Sequence, residues 1–322
     1  MKTDIFDAFG MHAIITKGVG GLYTVRPLSD EPCEVKCRAR GVLRHEGIVP
    51  TPGDEVIVAY AADDGSYVID EICERENCLI RPPVANLTHI FVVVPAARPA
   101  PDLFYTDKLT VIADALGIGC SVIVNKCDSD PERAAEIAGE YRLAGFTVFE
   151  TCAVAGDGCA DIKSFVEGLA CGRGFAIAAL AGVSGAGKSS LTKAVFPDLS
   201  VEIGDISRKT ERGRHTTRAV ELYEVGERVF IADTPGFSML DFERFDFFEP
   251  ERLVDGFREF APYIGHCRYA GCTHTKEDGC AVIDAVERGE VSRRRHESFV
   301  ALYDIMKKKP DWLRRQQKKG AR

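Results

Sequence analysis

The spacing of apolar and polar positions changes twice along this chain. From about Gly10 to Glu76 the two kinds alternate over short runs: AIITKG, GLYTVRP, CEVKCRARG, DEVIVAY and SYVIDEI. Gly20-Gly21, Pro50-Thr51-Pro52-Gly53 and Asp63-Asp64-Gly65 punctuate them as turns. Period-two alternation between turn residues predicts half-buried strands. Five strands of this size predict a small barrel, an OB-fold, a form that often binds oligonucleotides on one face and its loops. Arg81-Pro82-Pro83-Val84-Ala85-Asn86 then reads as an extended linker, since each proline pushes its predecessor away from helix.

Beyond the linker, apolar runs replace alternation: HIFVVVP, CSVIVNK, FTVFETC, FAIAALAG and RVFIADTPG. Helical stretches such as DKLTVIADAL and PERAAEIAGEYRLAG lie between them. Continuous apolar strands joined by helices predict an α/β sheet buried on both faces, with ligands at the carboxyl ends of the strands. A third segment is Cys- and Gly-rich, and it ends in two helical runs, Val282-Ile283-Asp284-Ala285-Val286 and SFVALYDIM, with Arg293-Arg294-Arg295 between them. The predicted organisation is a tail (1–9), an OB-fold (10–78), an α/β domain (79–248), a helical domain (249–306) and a basic tail (307–322). There is no internal repeat or low-complexity tract.

Composition narrows the classes. A chain of 322 residues at 45% hydrophobic holds about two buried cores. A formal charge of -8 excludes a wholly basic nucleic-acid binder, so RNA contact must come from local patches. One lies at residues 307–322, where Lys307, Lys308, Lys309, Arg314, Arg315, Lys318, Lys319 and Arg322 face the single acid Asp311; a solvated tail is the alternative reading. The amino terminus carries acids where a signal peptide needs positive charge, and no apolar run is long enough to span a bilayer. The expectation is a cytoplasmic protein whose twelve cysteines are thiols or metal ligands rather than disulfides.

The sharpest chemistry follows FAIAALAG. Gly182-Val183-Ser184-Gly185-Ala186-Gly187-Lys188-Ser189, with Ser190 opening the helix behind it, is a complete phosphate-binding P-loop. Its glycines let backbone N–H groups close round phosphate oxygens, Lys188 places a cation on the β and γ phosphates, and the Ser189 hydroxyl suits Mg²⁺. Downstream, Ile231-Ala232 delivers Asp233-Thr234-Pro235-Gly236. Asp233 is assigned to the magnesium shell, and the Gly236 N–H is placed to sense a γ-phosphate. After strand CSVIV comes Asn125-Lys126-Cys127-Asp128. The Asp128 carboxylate can accept from both guanine N1–H and N2–H₂, which selects GTP over ATP. Thr151-Cys152-Ala153 follows strand FTVFE and can offer backbone contacts from Cys152 and Ala153 to the guanine oxygen. Cys267, Cys272, His274 and Cys280 have the spacing C-x₄-C-x-H-x₅-C, a closed tetrahedral set for one structural Zn²⁺. No second metal site is expected from the pairs Cys33/Cys37 and Cys73/Cys78, which lack a histidine in their spacing.

The order of these motifs is unusual, because the guanine motif precedes the P-loop and DTPG comes last. With RPPVAN before the core, Gly213-Arg214-His215-Thr216-Thr217 between P-loop and DTPG, and the Cys-rich segment after it, the chain resembles the ribosome small-subunit-dependent GTPase A (RsgA, or YjeQ) family over nearly its whole length. The resemblance implies an OB-fold β-barrel, a circularly permuted P-loop GTPase domain and a zinc-binding helical domain. It also implies GTP hydrolysis to GDP in late maturation of the small ribosomal subunit, stimulated by that subunit and its rRNA. The GRHTT segment then contributes a switch, with Thr217 as the first choice of Mg²⁺ ligand and Thr216 the alternative. Where many GTPases carry a water-orienting glutamine this chain has Phe237, and His215 is the nearest polar substitute; a ribosomal contact or loop packing are its other readings. Arg293 to Arg295 and the tail are candidate rRNA contacts, a solvated helix face being the alternative for the arginines. A P-loop phosphotransferase and an RNA-binding module that merely holds nucleotide are the competing function classes. A monomer is the default.

Overall fold

The computed structural model describes residues 10–29, 33–45, 47–61, 65–80, 82–171, 174–199, 220–233 and 250–308. His215, Thr216, Thr217, Gly236, Phe237 and the basic tail from 309 onward lie outside the described residues. Backbone contacts divide the chain into two units, one of Met1–Ile90, Ala160–Leu180 and Ser189–Ser238, the other of Phe91–Cys159, Ala181–Lys188 and Met239–Arg322.

In the first unit the predicted barrel is present. β1 (Met11–Val19), β2 (Leu22–Pro27), β3 (Val35–Ala39), β4 (Glu55–Ala61) and β5 (Ser66–Ile72) pair in the order β1-β2-β3-β5-β4, and β4 closes back onto β1. The inward positions of the alternating runs fill it: Met11, Ala13, Ile15, Val25, Cys37, Val56, Val58 and Ile69. Gly20 and Gly21, with φ of 60° and 82°, make the two-residue turn between β1 and β2, a geometry that glycine adopts without steric cost. A five-residue helix, α1 (Gly41–His45), caps the barrel with Leu43 and was not foreseen, because five residues carry no readable helical period.

The stretch read as a linker is instead docked. β6 (Cys78–Ile80) and β7 (Pro83–Ala85) form a short hairpin, in which the prolines sit where no ladder donor is needed. Ala85 N–H donates to Pro52 O at 2.9 Å. The buried Asn86 side chain donates to Gly53 O at 3.0 Å and accepts from Glu76 N–H at 2.9 Å. Gly53 is obligatory here, since a Cβ would lie 2.1 Å from Ala85 O.

The same unit holds β11 (Ala176–Ala181), β12 (Glu221–Gly226) and β13 (Val229–Asp233). β11 and β13 are parallel, whereas β12 is antiparallel to β13. β12 escaped the sequence analysis because ELYEVG is short and polar at every third position. It also pairs with the barrel. Met11–Ile14 of β1 face β4, a bulge intervenes between Ile15 and Lys17, and Lys17 then faces Glu221. One strand edge therefore serves two partners, and bulges of this kind re-aim a strand.

The second unit carries β8 (His89–Pro95), β9 (Gly119–Asn125) and β10 (Thr147–Thr151), with α2 (Leu103–Ala115) and α3 (Pro131–Leu143) between them. The strand order is β10-β9-β8, with β10 and β9 parallel. Asp102 and Asp130 cap the two helices by accepting from Tyr105 and Arg133 N–H, and Pro131 occupies the first turn of α3, where its missing donor costs nothing. After β10 comes α4 (Cys159–Glu167), and α5 (Lys188–Val195) follows β11. The carboxy-terminal part begins with 3-10 turns at Pro250–Gly256 and Arg258–Tyr263, and ends with α6 (Ala281–Glu287) and α7 (Arg293–Lys307). Its core is an aromatic cluster in which Phe257, Phe260 and Phe299 stand 5.2–5.3 Å apart.

Arg293 to Arg295 are not a segment between helices. Ser292 caps α7 and the three arginines form its first turn. Arg295 is fully buried, donating to Asp107 at 2.7 Å and to both oxygens of Glu259. Arg294 donates to Asp107 at 2.6 Å and to both oxygens of Glu140 at 2.8 Å. The reading of Arg295 as an rRNA contact is thereby corrected, whereas Arg294 keeps 28% of its side chain exposed while holding its internal carboxylates. A guanidinium packed on Tyr141, Phe146 and Phe257 and chelated by internal carboxylates has no face left for a phosphate. Arg293 alone is exposed.

Candidate functional site

Three loops of the second unit meet on one side chain. Asn125 is the last residue of β9, in register with Thr151 of β10, and is 1% exposed. Its Nδ2 donates to Ala186 O of the P-loop at 2.9 Å, while its Oδ1 accepts from Thr151 Oγ1 at 3.1 Å and Ala153 N–H at 3.3 Å. The asparagine thus ties the guanine motif, the Thr151-Cys152-Ala153 loop and the P-loop together. An amide is the side chain that donates on one edge and accepts on the other, which an aspartate does not do. The fit is tight, because a Cβ on Gly187 would lie 2.2 Å from Asn125 Nδ2.

Lys126 follows with φ of 65°, and its ammonium donates to Gly185 O at 2.9 Å and Arg98 O at 2.6 Å. Arg98 was missed in the sequence analysis, since its contribution is a backbone carbonyl that no side-chain pattern reports. Asp128 is exposed, with its carboxylate open to an incoming donor pair. Of the two amides expected to meet the guanine oxygen, that of Ala153 is engaged by Asn125 and that of Cys152 donates to Asp157 O at 3.2 Å. Cys152 itself is buried.

The P-loop joins β11 to α5. Gly182, Gly185 and Gly187 have φ of 137°, 80° and 99°, and a Cβ on Gly182 would lie 2.3 Å from Val93 O. The loop therefore needs glycine both for its torsions and for its closeness to β8. Val183 and Gly187 are partly exposed, Ser184 and Gly185 are exposed, and Ala186 is buried beneath them. Lys188 donates to Gly182 O at 2.7 Å and Val183 O at 2.9 Å, and burial lowers its pKa below the usual 10.5. A partly buried ammonium resting on two loop carbonyls is placed to exchange them for an anion. Ser189 and Ser190 are exposed in the first turn of α5. Asp233 is the exposed last residue of β13, a hard oxygen donor of the kind Mg²⁺ takes.

The cysteine set also converges. Cys267 Sγ and Cys280 Sγ each lie 3.5 Å from His274 Nδ1 and 3.9 Å from one another, and all four ligand atoms, with Cys272, fall within 4.8 Å. Zinc–sulfur and zinc–nitrogen bonds of about 2.3 and 2.0 Å in a tetrahedron put S···S near ~3.8 Å and S···N near ~3.5 Å, so the residues fit the ion. Burial raises the Cys272 thiol to about 12, and ionised sulfur here calls for a cation. His296 Nε2 meets His274 O at 2.7 Å, fixing the ligand loop onto α7. A looser group, His12, Glu55 and Cys73, meets on the barrel, where His12 Nδ1 is 3.3 Å from Glu55 Oε1. Among the described residues no helix is long and apolar enough to cross a membrane.

Comparison with known proteins finds the RsgA GTPase family model matching residues 72–243 and the RsgA N-terminal domain model matching residues 13–68. A small ribosomal subunit biogenesis GTPase RsgA of Ruminiclostridium cellulolyticum is 37% identical over 302 residues, covering 93% of this chain and 95% of the relative. The protein of that name from Geobacillus kaustophilus is 37% identical over 299 residues, covering 92% and 97%. Among solved structures, YjeQ from Thermotoga maritima superposes with a TM-score of 0.77 at 26% identity, covering 93% of this chain and 99% of that one. YloQ, described as a circularly permuted GTPase, does so with 0.77 at 29% identity, covering 96% and 99%.

Proposed function

The chain belongs to the RsgA family of GTPases, and from that premise we propose how its residues bind and hydrolyse GTP in the service of small-subunit maturation. The activity is GTP to GDP and phosphate. The observation that carries the site reading is Asn125, because one buried amide joins the guanine loop to the phosphate loop and so couples base recognition to phosphate placement.

Residues Gly182 to Lys188 receive the α and β phosphates through backbone N–H groups. Lys188 exchanges its two loop carbonyls for the β and γ phosphate oxygens, and the transfer restores an ammonium that burial disfavours. Asp128 accepts from the guanine edge while Lys126 keeps the loop beneath it in place. Ser189, Asp233 and Thr217, or Thr216 in its stead, would hold Mg²⁺, which supplies charge stabilisation to the γ-phosphate oxygens during in-line attack by water. His215 positions that water from the GRHTT switch, which docking on the subunit orders, and Gly236 senses the γ-phosphate. The Cys267, Cys272, His274 and Cys280 site has four protein donors and no open position, so its zinc is structural. The exposed Arg293 and the basic tail, Lys307 to Arg322, contact rRNA through phosphates rather than bases. The protein works as a monomer in the cytoplasm.

The test is GTP and ATP turnover with and without purified small subunits, with Lys188→Ala as the blank. Strong stimulation of GTP turnover alone is expected. Flat turnover with intact GTP binding would replace this reading with that of a nucleotide-holding RNA-binding module.

A further inference from the structure

Three charged residues from neighbouring strands of the first unit stand in one row. Lys17 of β1 is the register partner of Glu221 of β12, and Glu221 is the register partner of Asp233 of β13. Directly opposed residues of antiparallel strands carry their side chains on the same face, with Cβ atoms about 4.5–5.5 Å apart. The carboxylates of Glu221 and Asp233 are therefore same-face neighbours at the end of β13. Lys17 Nζ donates to both oxygens of Glu221 at 2.8 Å each, leaving only 23% of the Glu221 side chain exposed. A second pair, Arg26 with Glu224 at 2.5 Å, ties the same β12 to the barrel.

We propose that Lys17 is a positioning residue for the magnesium site: by occupying both oxygens of Glu221 it keeps that carboxylate from the metal, so that Asp233 alone of the two neighbours serves as ligand. This rests on the assignment of Asp233 to Mg²⁺. A small hard cation in a nucleotide site takes one or two carboxylates together with phosphate oxygens. An extra carboxylate would tighten the metal and slow its departure with product. The count is held down by a lysine of the barrel rather than by any residue of the GTPase motifs. Nothing in those motifs would reveal it.

The experiment measures Mn²⁺ affinity of the full-length GDP complex by electron paramagnetic resonance, for the wild type, Lys17→Ala, Lys17→Ala with Glu221→Gln, and Asp233→Asn. Lys17→Ala should tighten Mn²⁺ about threefold to fivefold, the scale of one partly exposed charge pair. The added Glu221→Gln should return it to the wild-type value, and Lys17→Arg should leave it there. A purely structural ion pair would lower the melting temperature without moving Mn²⁺. Unchanged or weaker Mn²⁺ affinity in Lys17→Ala overturns the proposal, as does tightening that survives Glu221→Gln. Should Lys17→Ala misfold, Lys17→Met keeps the aliphatic stem and is read in the same way. Asp233→Asn tests the parent assignment separately: it should weaken Mn²⁺ more than about tenfold, and if it does not, the magnesium reading of Asp233 fails whatever Lys17 does.

Discussion

Two buried polar centres of the second unit are built from opposite materials. Around Asn125 everything is neutral: one amide, one hydroxyl and two backbone groups, joined by hydrogen bonds of 2.9–3.3 Å. Around Asp107 nearly everything is charged: Arg294 and Arg295 pair with it and also with Glu140 and Glu259 respectively, and Tyr141 Oη donates to it at 2.9 Å. The first centre lies at strand ends and leaves Asp128 and the P-loop serines exposed to a ligand. The second is closed on itself. Charge inside a fold is thus no marker of a functional site; what marks one is a polar framework that still presents unsaturated groups outward.

The sharpest way to separate the two is to remove the shared anion of the charged centre. Asp107→Ala leaves two guanidinium groups short of a partner in the interior, and should lower stability by about 3–5 kcal/mol in urea unfolding. GDP affinity of the folded fraction should hold. A comparable loss of GDP binding would mean that the two centres are one cooperative structure. Next in size is Asn125→Ala, expected to weaken GDP binding by about 2–3 kcal/mol, because it orphans a buried carbonyl and an amide of two different loops. Nucleotide titration followed by fluorescence reads it, and an effect on stability larger than that of Asp107→Ala would reverse the contrast.

A smaller effect is expected from pH. Lys188 is lowered below its usual 10.5 by burial, and bound phosphate raises it. Binding therefore takes up a proton between the two values, and GDP affinity falls as pH rises through the lower one. Calorimetry across the alkaline range should show this slope in the wild type and not in Lys188→Ala. The smallest expected effect is Arg293→Ala, within about 0.5 kcal/mol of wild-type stability, against a clear loss for Arg295→Ala.

Legibility in the sequence followed the distance over which partners act. The P-loop, the guanine motif and the Cys₃His set each lie within fourteen residues or fewer, so spacing alone reports their chemistry, and the five barrel strands announce themselves by alternation. Arg295 bonds to Asp107 across 188 residues, and a run of three arginines looks identical whether chelated inside or solvated outside. α1 is too short for a helical period to show, and β12, polar at Glu221 and Glu224, lacks a strand's alternation. The hairpin at residues 78–85 was hidden by its own prolines, which signal extended chain and are silent about what that chain pairs with.

β1 has a further consequence for the integrity of the chain. Its outer edge closes the barrel through Met11–Ile14 and then, past the bulge, covers β12. A truncation that discards the barrel in order to isolate the nucleotide-binding part would uncover an unpaired strand edge beside Asp233, a template for pairing with a second copy. The amino-terminal barrel is in this sense a guard against self-association, and its removal should be followed by light scattering before any loss of turnover is ascribed to missing RNA contacts.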